Sequence, residues 1–439
     1  MKNSIKKFSL ACTTMLLLAQ GSQAQVMADS NAAFVPNGKL WGYAFGDLSY
    51  KGATDDANRG GSNQYTKVPL NENQFQFRRV YLGYDYNISK NFSAEFLFAA
   101  EDNFTSGVLG QGTGDVLANN KFAPYVKLAN IRWKNIYKNA DLVVGQSATP
   151  TFAKNGSGMA SEEVWGYRSI ERTITDIRRT TSFDMGIALQ GKFDSKGNYG
   201  YVVMVANGTG AKTENDNFKS FYGDIWGKFA DKKIIVDLYQ DYTRLNWGQY
   251  INGYKSALPS PNGTYYHERA MTKLFVAYQT KPLTVGVEFF MNTLLGDVNV
   301  TGKDGNTYYR TTKAMGLSVF AKAQVKKDKL NAFVRFDNYD PTGNLSNIAG
   351  EQNTKSYTAT TSQYDPTTKE MFVTYGLDFT PIKNVHVMPN IWMNTYNSGL
   401  DATASNTFGT KYSTMNSGVT AMKGTDVLYR LTFYYVFGK

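Results

Sequence analysis

Arginines and carboxylates crowd one stretch of this chain. Lys154, Arg168, Arg172, Arg178 and the adjoining Arg179 stand against Glu162, Glu163, Glu171 and Asp176. The stretch holds no paired nucleophile and base, so its chemistry is ion recognition. Opposed clusters across a narrow passage create a transverse field, and an excess of one sign sets ion preference. Arg168, Arg172, Arg178 and Arg179, with Glu171 and Asp176 among them, are therefore expected to line a constriction and to face wall carboxylates such as Asp237 or Asp241. A plainer reading has the arginines pair with Glu171, Asp176 and backbone carbonyls and so pin the segment. The same stretch carries Val164, Trp165, Tyr167, Ile170, Ile174 and Ile177. That is too apolar to float in water, so the segment should pack on a wall, with a short helix starting at Ser161.

Other candidates are weaker. His267-Glu268 could belong to a hydrolase, but no second acidic cluster accompanies it. Gly110 to Gly114 resembles a phosphate cradle without the strand–helix frame that a cradle needs. Asp55-Asp56 and Glu214-Asn215-Asp216 could offer oxygen ligands to calcium, although solvated loop charge is the simpler reading. The one cysteine is Cys12, and His267 and His386 are the only histidines. No enzymatic activity, cofactor or metal centre is expected.

The elements that must position the charged segment follow a rhythm. About sixteen short aromatic-rich segments recur, joined alternately by seven tight turns and eight long loops. The last segment, Asp426 to Lys439, places Val427, Tyr429, Leu431, Phe433, Tyr435 and Phe437 on one face and Arg430 and Thr432 on the other. A strand alternates its side chains with period two, and an apolar face backed by a polar one suits a lipid-facing barrel strand. Tyr 30, Phe 27 and Gly 40 fit that pattern. Mean hydropathy is only −0.40, and no segment beyond the leader is apolar enough for a spanning helix. The count and parity predict an all-β, transmembrane antiparallel β-barrel of about 16 strands. Both termini lie on its tight-turn side, and the long third loop folds into the lumen. A sandwich has no reason to alternate its connections this way, and no propeller blade motif recurs.

Residues 1–24 have the basic start, apolar stretch and small-residue end of a signal peptide. Cleavage would remove three lysines from a chain of formal net charge +11. Residues 25–38 form a short periplasmic segment, and 39–439 form the barrel with 148–178 as its constriction loop. A barrel this wide holds an aqueous channel. Its inner face should carry Arg79, Glu95, Asp184, Lys192, Asp237, Asp241, Lys273, Glu288, Lys322, Arg335, Asp337, Asp378 and Arg430. A bulge is expected within Lys121–Lys134, a bulge or break at Pro389, and a loop over Thr293–Tyr309.

Gly145-Gln146, Thr149-Pro150, Phe152 and the run Trp165-Gly166-Tyr167-Arg168-Ser169-Ile170-Glu171-Arg172 resemble the third-loop region of the phosphate-selective porin O and P family of Bacteroidota. Thr151 between Pro150 and Phe152, and Lys439 at the chain end, depart from that pattern. The resemblance implies an outer-membrane porin of a Gram-negative bacterium for passive diffusion of small hydrophilic solutes and ions. It also implies contact with the lipid bilayer and lipopolysaccharide, and a homotrimer. The basic balance suggests a mild anion preference. Mixed lumen charge argues against strict phosphate selectivity. The alternatives are a substrate-selective channel for phosphate or oligosaccharide, and a structural or adhesive surface barrel. A continuous aromatic lumen stripe would favour sugar. Nucleic acid is not an expected partner.

Overall fold

Alternation along the final strand sorts water from lipid. Tyr429, Leu431, Tyr435 and Phe437 are exposed on the outside, whereas Leu428, Arg430 and Thr432 are buried on the inside. The structure, a computed structural model, describes residues 34–54, 68–101, 124–152, 161–177, 182–214, 216–246, 266–301, 307–341, 343, 356–359, 368–398 and 423–438. The expected signal peptide, the Gly110–Gly114 stretch, Asp55-Asp56, Arg178 and Arg179 lie outside the described residues.

In chain order the strands are β1 (Asn37–Ala53), β2 (Asn73–Asn87), β3 (Phe92–Glu101), β4 (Tyr125–Tyr137), β5 (Ala140–Ala148), β6 (Phe183–Lys192), β7 (Tyr199–Ala206), β8 (Ser220–Phe229) and β9 (Ile234–Asn246). There follow β10 (Tyr266–Gln279), β11 (Leu283–Thr301), β12 (Thr307–Lys326), β13 (Leu330–Asp340), β14 (Ser356–Ala359), β15 (Thr368–Ile382), β16 (Val385–Ser398) and β17 (Lys423–Phe437). Each barrel strand pairs antiparallel with the next, β13 passes directly to β15, and β17 closes on β1. The ring is thus a closed barrel of sixteen strands, with β14 outside it on the extension of β11. Closure leaves no unpaired edge in lipid, where an unmade backbone hydrogen bond is costly. The tight turns use left-handed residues: Asn139 has φ 62° and Asn384 φ 68°, conformations asparagine tolerates well.

Two bulges change what faces inward. Phe45 pairs with Arg79 but Gly46 pairs with Phe77, so Arg78 is an extra residue in β2. Leu97 pairs with Leu128 and Phe98 with Val126, so Lys127 is extra in β4. Each bulge turns two consecutive residues inward, and Arg78, Arg79, Lys127 and Leu128 are all buried. The bulge expected within Lys121–Lys134 is therefore present.

One expectation is met in part and another needs correction. The β16–β17 register runs unshifted from Val385↔Tyr435 to Asn397↔Lys423, so Pro389 makes no bulge there. On its other side the β15–β16 ladder has no pairs between Gly376↔Asn390 and Phe379↔Val387, a local break at Pro389, which has no N–H to donate. The stretch Thr293–Tyr309 is largely strand, not loop. Past the last β10 partner, Leu294, the ladder resumes from Val298↔Arg310 to Thr301↔Thr307. Backbone pairing needs no lipid face, so the apolar alternation fades there while the ladder continues.

Candidate functional site

The connection between β5 and β6, the third of the long ones and hence the third connection, enters the lumen. It contains a 3-10 turn at Pro150–Phe152, helix α1 at Ser161–Trp165 and helix α2 at Ile174–Ile177. The start of α1 at Ser161 agrees with the expected helix start. Its apolar side explains why it is not free in water. Val164, Trp165, Tyr167 and Ile170 are buried in one cluster with Trp226, Ile235, Phe275, Phe320, Phe333 and Met388. Trp165 is 0 % exposed, with its ring 5.2 Å from Phe320 and 6.0 Å from Phe333. The segment thus packs on the wall from β8 round to β16.

Polar bonds fix its backbone. Arg78 Nη1 donates to the carbonyls of Ser169 at 3.2 Å and Ile170 at 3.4 Å, and Arg430 Nη2 donates to Ile170 at 3.1 Å. Arg335 Nη1 donates to the Arg172 carbonyl at 2.6 Å, and Lys322 Nζ to that of Trp165 at 3.2 Å. Lys273 reaches Thr151 Oγ1 at 2.6 Å and lies 3.3 Å from Asp237. Wall carboxylates serve as well: Glu288 accepts from the Thr175 amide at 3.2 Å, and Asp378 accepts from the Tyr167 hydroxyl at 3.1 Å.

Within the segment, Arg168 Nε lies 3.4 Å from Glu162, and Arg168 Nη2 lies 3.7 Å from Asp176. Arg172 lies 4.0 Å from Asp176. Glu171 accepts from the Trp392 indole and from the Arg172 amide, each at 2.9 Å. Burial pushes the Glu171 carboxyl up, but Arg78, Arg172, the Trp392 bond and Arg335 outweigh it and hold it below the usual carboxylate range. Burial also opposes ionisation of Asp176, and Arg172, Arg168 and the Ser182 bond reverse that. A charged group out of water is tolerated only when paired in this way.

What remains open is a cavity of about 370 Å³ on the opposite side, between the segment and the wall from β1 to β6. Trp41, Tyr43, Tyr81 and Tyr434 line it, with Asp85, Glu95, Lys127, Asn130, Arg132 and Gln190, and the segment contributes Phe152, Glu162, Glu163 and Arg168.

No protein-family model and no curated protein sequence matches the chain. Solved structures do. The outer membrane channel DcaP of Acinetobacter baumannii aligns with TM-score 0.54 and 10% identity, covering 94% of this chain and 100% of that one. OmpT of Vibrio cholerae aligns with TM-score 0.51 and 10% identity over 93% of this chain and 100% of that one. The anion-selective porin from Comamonas acidovorans gives TM-score 0.50 and 11% identity over 92% and 100%. The fold is that of the outer-membrane porins.

The remaining candidates take these places around the barrel lumen. Arg168 lines the cavity beside Asp85, Glu95, Glu162 and Glu163, while Asp237 and Asp241 lie among the buried contacts of β8 to β10. Asp241 there accepts from Tyr239 at 2.8 Å and from the Met271 amide at 3.0 Å. Arg79 is buried over the Phe45 ring at 5.7 Å, and Glu95 accepts from Asn130 at 3.2 Å. Asp184 accepts from Tyr222 and the Gly208 amide, each at 2.7 Å, while Arg335 grips Asp337 at 2.5 Å. Lys192 is exposed near the tight turn after β6. Glu268 pairs with Arg244 at 3.1 Å, and Glu214 with Lys219 at 2.7 Å. Among the described residues no group of three His, Cys, Asp or Glu could hold a metal ion. Arg78 and Lys127 were not legible by alternation. The signal available was energetic: a cation on the lipid face is costly, so adjacent Arg78-Arg79 in a strand points to a bulge.

Proposed function

We propose that this chain is an outer-membrane porin of a Gram-negative bacterium, a water-filled channel for passive diffusion of small hydrophilic solutes and ions. One observation carries the reading. The third connection is fastened to one side of the lumen and leaves a charged cavity on the other. A surface-only barrel has no use for a lumen arranged in this way.

Selectivity is weak in this reading. Lys127, Arg132 and Arg168 line the cavity with Asp85, Glu95, Glu162 and Glu163. A mild anion preference then rests on the chain's overall basic field, which raises local anion concentration. The Trp165–Arg172 motif supports kinship with the porin O and P family, and with it a homotrimer facing lipid and lipopolysaccharide. Crosslinking of the detergent-purified protein tests that assembly.

Planar-bilayer recording in a salt gradient tests the channel. Ohmic single-channel steps with a small anion-directed reversal potential are expected, and Arg168→Ala with Arg172→Ala should shift that potential toward cations. Unchanged conductance and permeability ratio in both variants would remove these arginines from the constriction. A second reading draws on the ladder of β14 upon β11, an ordered sheet past the barrel rim. It favours an adhesive surface role, which a non-conducting barrel that binds cells or matrix would support.

A further inference from the structure

The tight turns carry charge with a regularity that hairpin geometry does not require. They join the strands at 88–91, 138–139, 193–198, 230–233, 280–282, 327–329 and 383–384. Each holds an exposed lysine: in chain order Lys90, Lys138, Lys196, Lys232, Lys281, Lys327 and Lys383. Two of the turns hold a second, Lys233 and Lys329. The acids of these turns are Asp194, Asp231 and Asp328 alone. Asp194 is occupied within its own turn, accepting from the Asn198 amide at 2.7 Å and the Tyr199 amide at 3.2 Å. Lysine is not the residue that a turn selects. Lys232 even takes a left-handed conformation, φ 66°, which asparagine, aspartate and glycine adopt more readily.

The turn lysines stand clear of the lipid. Outer-membrane barrels keep their short turns in the periplasm, and aromatic girdles mark the membrane interfaces. At this end Tyr84, Phe229, Tyr278 and Phe379 are exposed on the outer wall, and the chain runs on past each of them before it reaches a turn lysine. Two lysines tie neighbouring hairpins together. Lys232 Nζ donates to the Lys196 carbonyl at 3.0 Å, and Lys329 Nζ to the Pro381 carbonyl at 3.0 Å. The result is a basic annulus that runs right round the periplasmic mouth.

The shape of that surface selects its partner. A compact acidic protein would meet one sector of the ring and leave the rest unused. Anionic lipid headgroups would meet charge at the girdle, not beyond it. A ring parallel to the membrane matches an extended, flat polyanion lying beneath it. Peptidoglycan has that form, and its stem peptides bear free carboxylates. One exposed lysine–carboxylate pair contributes little. Many pairs spread over a rigid ring engage together, and their effects multiply.

We propose that the lysine annulus is a docking surface for peptidoglycan carboxylates and holds the periplasmic mouth against the cell wall. The inference rests on the outer-membrane reading, which puts the tight turns in the periplasm.

Purified peptidoglycan sacculi, mixed with the barrel in phosphatidylcholine nanodiscs and pelleted, test it. The wild type should pellet with sacculi at low salt. It should stay in solution at about 1 M NaCl, where charges are screened beyond about 3 Å, and also when the sacculus carboxyls have been converted to methylamides. Lys138→Gln, Lys281→Gln, Lys327→Gln and Lys383→Gln combined leave the bonds of Lys232 and Lys329 in place and should weaken binding about tenfold or more. Lys212→Gln with Lys219→Gln, on the long-loop side, should leave it unchanged. Failure to pellet at low salt, equal binding to amidated sacculi, or pelleting with phosphatidylglycerol vesicles and not with sacculi overturns the docking. If the fourfold variant does not fold, the salt and amidation arms decide on the wild type alone. Planar-bilayer current from the same preparation reports separately on the channel, so KCl conduction without sacculus binding overturns the docking alone.

Discussion

Glu171 shows how the lumen uses charge. Its carboxylate is buried, yet it is held ionised by Arg78, Arg172 and the Trp392 indole against the cost of burial. The consequence for pH has a definite sign. A depressed carboxyl contributes stability that is fully present above its unfolded value, about 4.3, and that is lost as pH falls through the depressed folded value. The third connection should therefore stay fastened from neutral pH down through the ordinary carboxylate range and loosen only below it. Single-channel recordings should show steady current until that point and flickering, larger current beneath it. Glu171→Gln removes the charge while keeping an acceptor, and should flicker at neutral pH. A variant trace identical to wild type at every pH would break this linkage.

At the scale of elements, the third connection acts as an insert held by one apolar face and by lumen cations bonded to its carbonyls. Trp165 is the centre of that face, and its indole also donates to the Glu171 carbonyl at 3.1 Å. Trp165→Ala should cost about 3–5 kcal/mol of local packing. The barrel should still assemble, because its ladder is independent of the insert. Conductance should rise, and trypsin should cut near Arg168 and Arg172 far faster than in wild type. The inward fold of this connection was legible because Val164, Trp165, Tyr167 and Ile170 are too apolar for a free loop. Which wall it would choose was not, since the aromatic side chains that receive it, Phe275, Phe320 and Phe333, come from distant strands. Arg168 lines the cavity beside Glu95 and Glu162 and does not face Asp237 or Asp241 as expected, a difference illegible for the same reason. A bulge inserts one residue and reverses the phase of everything beyond it, so Arg78 and Lys127 could not be placed by counting.

For the whole molecule, sixteen strands and the side of the termini were readable from turn spacing, because successive connections of an antiparallel barrel lie at opposite ends, and outer-membrane barrels keep short turns at one end and longer loops at the other. Outer faces were readable wherever lipid demands apolar residues, as at Leu431, which is 40% exposed. The same demand makes a prediction. Leu431→Arg should destabilise the liposome-inserted barrel by about 2–4 kcal/mol if the residue sits near the bilayer midplane, measured by urea titration of folding. A change below about 0.5 kcal/mol would place Leu431 outside the hydrocarbon. Beyond the rim no lipid acts, so the β11–β12 extension gave no alternation to read.

The central claim is that the passage runs between the third connection and the wall from β1 to β6. Cys12, within the expected signal peptide, is the only cysteine, so single cysteines can report on position. Asn130→Cys lies on the open side, and Ser318→Cys lies on the inner face of β12, where Ser318 is 3% exposed. A small charged thiol reagent added during single-channel recording should reduce the current through Asn130→Cys within seconds and leave Ser318→Cys unaffected. Block at Ser318→Cys with none at Asn130→Cys would put the passage on the other side of the insert and contradict the account.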